Sequence, residues 1–209
     1  MPTGVASLDA LLPDGGLPRG QVVEWVGPRS SGKTTLLRAA FAGLRAVGES
    51  VVLIDSARTL YAPDWVRLVP GEGRFWVVRP PDPAEAAWCA DLVLRSGAFG
   101  VVALMSGVSR PGAGDEALHR SVTVRLQRLA EEANAVFVTV GRVPLASLRL
   151  SFRPGRIESV QEMFGPFLPS FRPVWVQVGK RGSVEVPLLC PISPPWGQDP
   201  TRDRKGPAT

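Results

Sequence analysis

The residues best placed to do chemistry lie near the start of the chain. Gly27-Pro28-Arg29-Ser30-Ser31-Gly32-Lys33-Thr34 fits the spacing G-x-x-x-x-G-K-[ST]. Its glycines let the backbone curl until successive N–H groups point inward, a shape that binds the oxygens of a phosphate. A helix starting at the end of such a loop adds the favourable end of its dipole. Lys33 is expected to reach the β and γ phosphates of a nucleotide, and Thr34 to offer its hydroxyl to Mg²⁺. The expected contact set is Gly27, Ser30, Ser31, Gly32, Lys33, Thr34 and Thr35, with ATP and Mg²⁺ as cofactors. A loop of this shape can also outlast its affinity, so spacing alone leaves binding and shape-keeping both open.

Such a loop works only between a buried strand and a helix, and the neighbouring residues supply both. Residues 21–26, QVVEWV, read as the strand. Residues 33–47 carry Leu36, Leu37, Ala40, Phe41 and Leu44 at helical spacing, with Gly48 as the stop. Further strands are expected at 51–54, ending at Asp55, and at 75–78, 101–105 and 135–140. Pro83 opens a helix over 83–95 that Gly97 closes, and a helix over 115–133 sets Leu118, Val122, Leu126, Leu129 and Ala133 on one face. Strands alternating with helices imply an α/β fold, a mainly parallel sheet with helices on both faces. After residue 142 the helical period is lost in a stretch dominated by Pro, Phe and Arg. Residues 174–178 and 183–189 then flank Gly179-Lys180-Arg181-Gly182, a C-terminal β-hairpin signal. Residues 1–190 are expected to form one domain, and the Pro-rich residues 191–209 a disordered tail.

Composition bounds the function further. The 209 residues suffice for one domain with a sizeable core, and 44% hydrophobic with 21% charged content is ordinary for a globular protein. No apolar run reaches the roughly 18 residues of a membrane span, and the N-terminus lacks the basic and apolar regions of a secretory signal. A cytoplasmic location follows as the expectation. Cys89 and Cys190 stand far apart and in no metal-binding spacing, as reduced thiols would. The net charge of +5 and pI of about 10.0 favour an acidic partner such as nucleic acid. Only Lys33, Lys180 and Lys205 among the 24 basic residues are lysines, and arginine bias also follows genome base composition.

The surroundings of the loop carry a resemblance. Thr3-Gly4-Val5-Ala6-Ser7-Leu8-Asp9, Gly15-Gly16-Leu17-Pro18-Arg19-Gly20, Val23-Glu24-Trp25-Val26-Gly27-Pro28 and Ser30-Ser31-Gly32-Lys33-Thr34-Thr35 resemble the opening of the bacterial recombinase RecA. The likeness continues more faintly through Leu53-Ile54-Asp55 and Leu94-Arg95-Ser96-Gly97-Ala98, to about residue 141 and again near the hairpin. It implies a RecA-like P-loop core. The departures are as informative. RecA has a glutamate that activates the attacking water just after the second strand, where this chain has Ala57 followed by Arg58. RecA ends its Walker B strand in aspartate, where Val101-Val102-Ala103-Leu104-Met105-Ser106 puts Met105. RecA senses the γ-phosphate with a glutamine, where Val140-Gly141-Arg142 offers Gly141.

Phosphoryl transfer to water needs an oriented nucleophile and a well-held Mg²⁺, so negligible hydrolysis is expected. No catalytic residue is assigned. Asp55, Glu49 and Asp64 are the acidic residues that a shifted register would bring into play. The chain is also expected to lack RecA's N-terminal helix and C-terminal domain. Its size and degenerate site resemble the ImuA group of damage-induced mutagenesis cassettes. That resemblance implies an accessory role in translesion synthesis beside ImuB, an inactive Y-family polymerase relative, and an error-prone replicative-type polymerase, with RecA itself as a further partner. The alternative is an active DNA-dependent ATPase of homologous recombination.

Arg142, Arg149, Arg153 and Arg156 fall where RecA places its second DNA-contacting loop, and Phe152 and Phe164 could stack on bases. Single-stranded DNA contact, a solvated basic surface over Leu148, Leu150, Phe152, Phe164, Phe167 and Phe171, and a partner-binding surface are the three readings. His119 has no metal or catalytic partner within sequence reach. Trp25 and Trp88 are expected in the core, Tyr61 could stack on an adenine, and Glu131-Glu132 reads as a solvated patch.

Overall fold

The structure, a computed structural model, describes residues 1–61, 65, 72–105, 118–154, 171–179 and 182–189. Short β-branched runs build its centre: β1 (Val22–Val26), β2 (Val51–Asp55), β3 (Phe75–Val78), β4 (Val101–Met105) and β5 (Val136–Val140). Every residue of β2, β4 and β5 is buried, as expected of strands covered on both sides. Three more strands follow: β6 (Leu148–Pro154), β7 (Phe171–Val178) and β8 (Gly182–Leu189). The sheet order is β3-β2-β4-β5-β1-β6-β7-β8. Pairing is parallel from β3 through β6 and antiparallel from β6 to β8.

Alternation along the strands divides the core in two. Val23 and Trp25, Val51 and Leu53, Val101, Ala103 and Met105 face one side. There α2 (Lys33–Ala46) lays down Leu36, Leu37, Phe41 and Leu44, beside the short α1 (Ala6–Asp9). Val52, Ile54, Val102, Leu104 and Phe137 face the other side. It is covered by α3 (Ala86–Arg95) through Ala86, Ala90 and Leu94, and by α4 (Arg120–Glu132) through Leu126, Leu129 and Ala130. The expected α/β architecture, with helices on both faces and a C-terminal hairpin, is present.

Several details differ from the sequence reading. The helix expected over 83–95 starts as a 3₁₀ turn, Pro83–Glu85, and becomes α-helical at Ala86. The helix expected over 115–133 begins at Arg120 among the described residues. His119, rather than lying within it, caps it by accepting from the Ser121 N–H, and Leu118 packs just before it. Trp88 is 60% exposed rather than in the core, because α3 turns its row of alanines to the sheet and Trp88 away from it. The strand β6 is not expected from the sequence: its Leu-x-Leu-x-Phe alternation is short and carries Arg149 within it. The expected tail over 191–209 lies outside the described residues.

Candidate nucleotide-binding site

Parallel strands end at a common edge, and the loop of residues 27–32 leaves that edge from β1 and runs into α2. Its curl is visible in two positive φ angles, +58° at Ser30 and +84° at Gly32. Gly32 caps α2, with its carbonyl accepting from the Leu36 N–H at 2.9 Å. The packing also requires glycine. A Cβ on Gly32 would overlap Cγ2 of Val174 from β7, and one on Gly27 would stand 2.7 Å from the Phe152 carbonyl oxygen of β6. The late strands β6 and β7 therefore press directly on the loop.

The residues present fit a phosphate. Ser31 is buried and its Oγ has no hydrogen-bond partner among the described residues. An unpaired buried hydroxyl costs roughly 1–3 kcal/mol, and a phosphate oxygen is the acceptor that would satisfy it. Lys33 Nζ donates to the carbonyls of Gly27 and Pro28, both at 2.9 Å, so the loop closes on its own lysine. Burial, and secondly the Arg29 charge, lower the Lys33 ammonium below its ordinary pKa. A phosphate would compensate both effects. Thr34 and Thr35 are half-buried at the start of α2.

Among the described residues, those that end or follow the neighbouring strands are poor in catalytic groups. Met105 ends β4, 8% exposed and part of the core, directly across from Asp55 of β2. Ala57 follows β2 in a turn. Gly141 follows β5, its N–H bonded to the Trp25 carbonyl at 3.1 Å. Of the acidic residues that a shifted register would enlist, the two described ones are engaged elsewhere. Asp55 is fully buried and already accepts from the Thr59 and Leu60 N–H groups and from Arg79 Nε at 3.2 Å. Glu49 precedes β2, at the opposite edge of the sheet, and pairs with Arg19. Asp64 lies outside the described residues. Among the described residues no group of three or more His, Cys, Asp or Glu could hold a metal.

The arginine segment splits apart. Arg142, Arg149 and Arg153 are all exposed, and the guanidinium of Arg149 is in addition ion-paired with the fully buried Glu24 of β1. Arg156 and Phe164 lie outside the described residues. Phe152 is not free to stack on bases: it is 1% exposed, its ring centroid 5.0 Å from that of Trp25. Tyr61 is 67% exposed. Sequence reasoning passed over Glu24 and Arg79. The signal for Glu24 was available, since a charge inside the run VVEWV must find a partner. Here it receives the Val143 N–H at 2.7 Å as well as Arg149.

The family described as the RecA N-terminal domain matches residues 1–116. Protein RecA of Nocardia farcinica is 41% identical over 107 residues, covering 51% of this chain and 30% of that relative. Protein RecA of Rhodococcus opacus is 42% identical over 107 residues, again 51% of this chain and 30% of the relative. For Protein RecA of Mycobacterium leprae the figures are 41% over 107 residues, 51% and 15%. The chain thus matches less than a third of the length of these curated relatives. No helix among the described residues is long and apolar enough to cross a membrane.

Proposed function

Because the chain belongs to the RecA family through the N-terminal domain at residues 1–116, we propose that it is a nucleotide-holding, non-hydrolysing accessory protein of DNA repair. One observation carries this reading: the phosphate loop keeps its form, while by the likeness to RecA Met105, Ala57 and Gly141 fall where that family carries its polar catalytic groups. Lys33 and Thr34 would hold the phosphates and Mg²⁺ of ATP, and the bound nucleotide would act as a structural ligand. Losing the water-orienting group and the strand-end carboxylate raises the hydrolytic barrier by several kcal/mol, each tenfold in rate being about 1.4 kcal/mol. With chemistry subdued, the protein works through contacts with other proteins. The finer assignment is the ImuA type, acting in translesion synthesis beside an inactive Y-family polymerase relative and an error-prone polymerase, with RecA as a further partner. Single-stranded DNA contact would be weak and would fall steeply with salt.

Calorimetric titration of ATP–Mg²⁺, with phosphate release followed in parallel with and without single-stranded DNA, tests this. Binding without release is expected, and Lys33→Ala should abolish the binding. Turnover lost in Lys33→Ala would establish the alternative, a DNA-dependent ATPase of recombination.

A further inference from the structure

The phosphate loop carries a second cation beside its lysine. Arg29 stands between Pro28 and Ser30, exposed, and makes no hydrogen bond or ion pair with any described residue. Its charge acts on Lys33, adding to burial in lowering that ammonium's pKa. Two like charges in one loop without a counter-ion are an arrangement that an anion relieves. Lys33 Nζ donates to the carbonyls of Gly27 and Pro28, which leaves it a further N–H to donate. Ser31 is 1% exposed, its Oγ is without a partner among the described residues, and that oxygen would stand 2.9 Å from a Cβ on Gly27. The start of α2 adds its dipole at the same place. The donors for a metal are the missing part. Magnesium in phosphate sites is bound through one or two carboxylates together with the phosphates. Met105 ends β4 instead, and the described carboxylates of the nearby strands are committed: Asp55 to Thr59, Leu60 and Arg79, Glu24 to Val143 and Arg149. Thr34 can touch a Mg²⁺ that arrives with a nucleotide, but a neutral hydroxyl by itself does not hold one.

We propose that the loop takes the phosphate chain of a nucleotide in its metal-free form, with Arg29 supplying the charge that a divalent cation would otherwise bring. The guanidinium suits this task, because its planar fork can hold two phosphate oxygens at once and it stays protonated at any working pH. The remaining N–H of Lys33 and the Ser31 hydroxyl would donate to oxygens nearer the loop. A metal-free chain is more negative than its magnesium complex, so two protein cations serve it better. With the metal bound, Arg29 faces a chain already partly neutralised and contributes less. The inference rests on the reading of this loop as a nucleotide holder. It adds which charge state of the ligand is held and makes Arg29 the residue that determines it.

The test is calorimetric titration of ATP into the full chain, once with Mg²⁺ and once with excess EDTA. The dissociation constant in EDTA is expected to stay within about threefold of that in Mg²⁺. Arg29→Ala should weaken binding in EDTA at least about tenfold and weaken it less in Mg²⁺, with the melting temperature of the unliganded protein unchanged because Arg29 is exposed and unpaired. Arg29→Lys, which keeps the charge, should recover most of the affinity in EDTA. Tripolyphosphate should displace ATP in EDTA and adenosine should not, since the phosphate chain is what the loop holds. ATP binding in Mg²⁺ that EDTA removes would overturn the proposal and leave the nucleotide-holding reading standing. So would equal losses in the two buffers on Arg29→Ala, or displacement by adenosine alone. Absence of binding in both buffers would overturn the two together. Phosphate release plays no part in these readouts, so turnover would sink the non-hydrolysing reading without deciding this one.

Discussion

At the scale of the residue, the phosphate loop is defined as much by what its glycines exclude as by what its polar groups offer. Gly32 combines a φ of +84° with the pressure of Val174, so both conformation and space forbid a side chain. Gly32→Ala is expected to lower stability by about 1–2 kcal/mol from the left-handed backbone alone, with more from displacing Val174. A drop of several degrees in the thermal melt, together with loss of nucleotide binding, is the result to look for. The sequence displayed the loop in full, because its spacing is local. It did not display the lysine folded onto the carbonyls of Gly27 and Pro28, nor the valine behind Gly32, which comes from a strand some 140 residues on. Asp55 was legible as the end of a strand, but its engagement by Thr59, Leu60 and Arg79 depends on tertiary placement.

At the scale of the element, Asp91 joins α3 to α4. Burial alone would raise its carboxyl. The hydrogen bonds and charges of Arg95 and Arg125 outweigh that effect and hold the group below the ordinary carboxylate range. A depressed native pKa means that the carboxylate's contribution is complete above the unfolded-state value and disappears as pH falls through the native one. Stability of the wild type should therefore decline across that acidic window. Asp91→Asn should lack this part of the decline and be weaker at neutral pH by about 1 kcal/mol, since both arginines are largely solvated. Chemical denaturation at a series of pH values measures both. The helices and central strands were legible because their periodicities are strong. The row of alanines that turns Trp88 outward was legible too, but bulk suggested a core residue where position on the helix ruled. β6 escaped notice because it is completed by neighbours, β1 on one side and β7 on the other, and not by its own pattern.

At the scale of the whole molecule, the antiparallel extension β6-β7-β8 is fastened to the parallel core by Phe152 lying on Trp25. Phe152→Ala is expected to cost about 3–5 kcal/mol, a large fraction of an ordinary domain's stability, and to move the urea midpoint monitored by tryptophan fluorescence accordingly. The consequence of Met105 reaches furthest. It occupies its site as core, with Asp55 directly across on the adjacent strand. Putting aspartate back would bury a second carboxylate beside the first, a like-charge arrangement that is costly until a cation arrives. Ala57 and Gly141 follow two other strands, so on the proposed reading Met105→Asp alone is expected to leave phosphate release absent and to lower the melting temperature. On the proposed reading the site behaves as a ratchet: a carboxylate introduced alone at this strand end is expected to destabilise the protein before it supplies any catalysis.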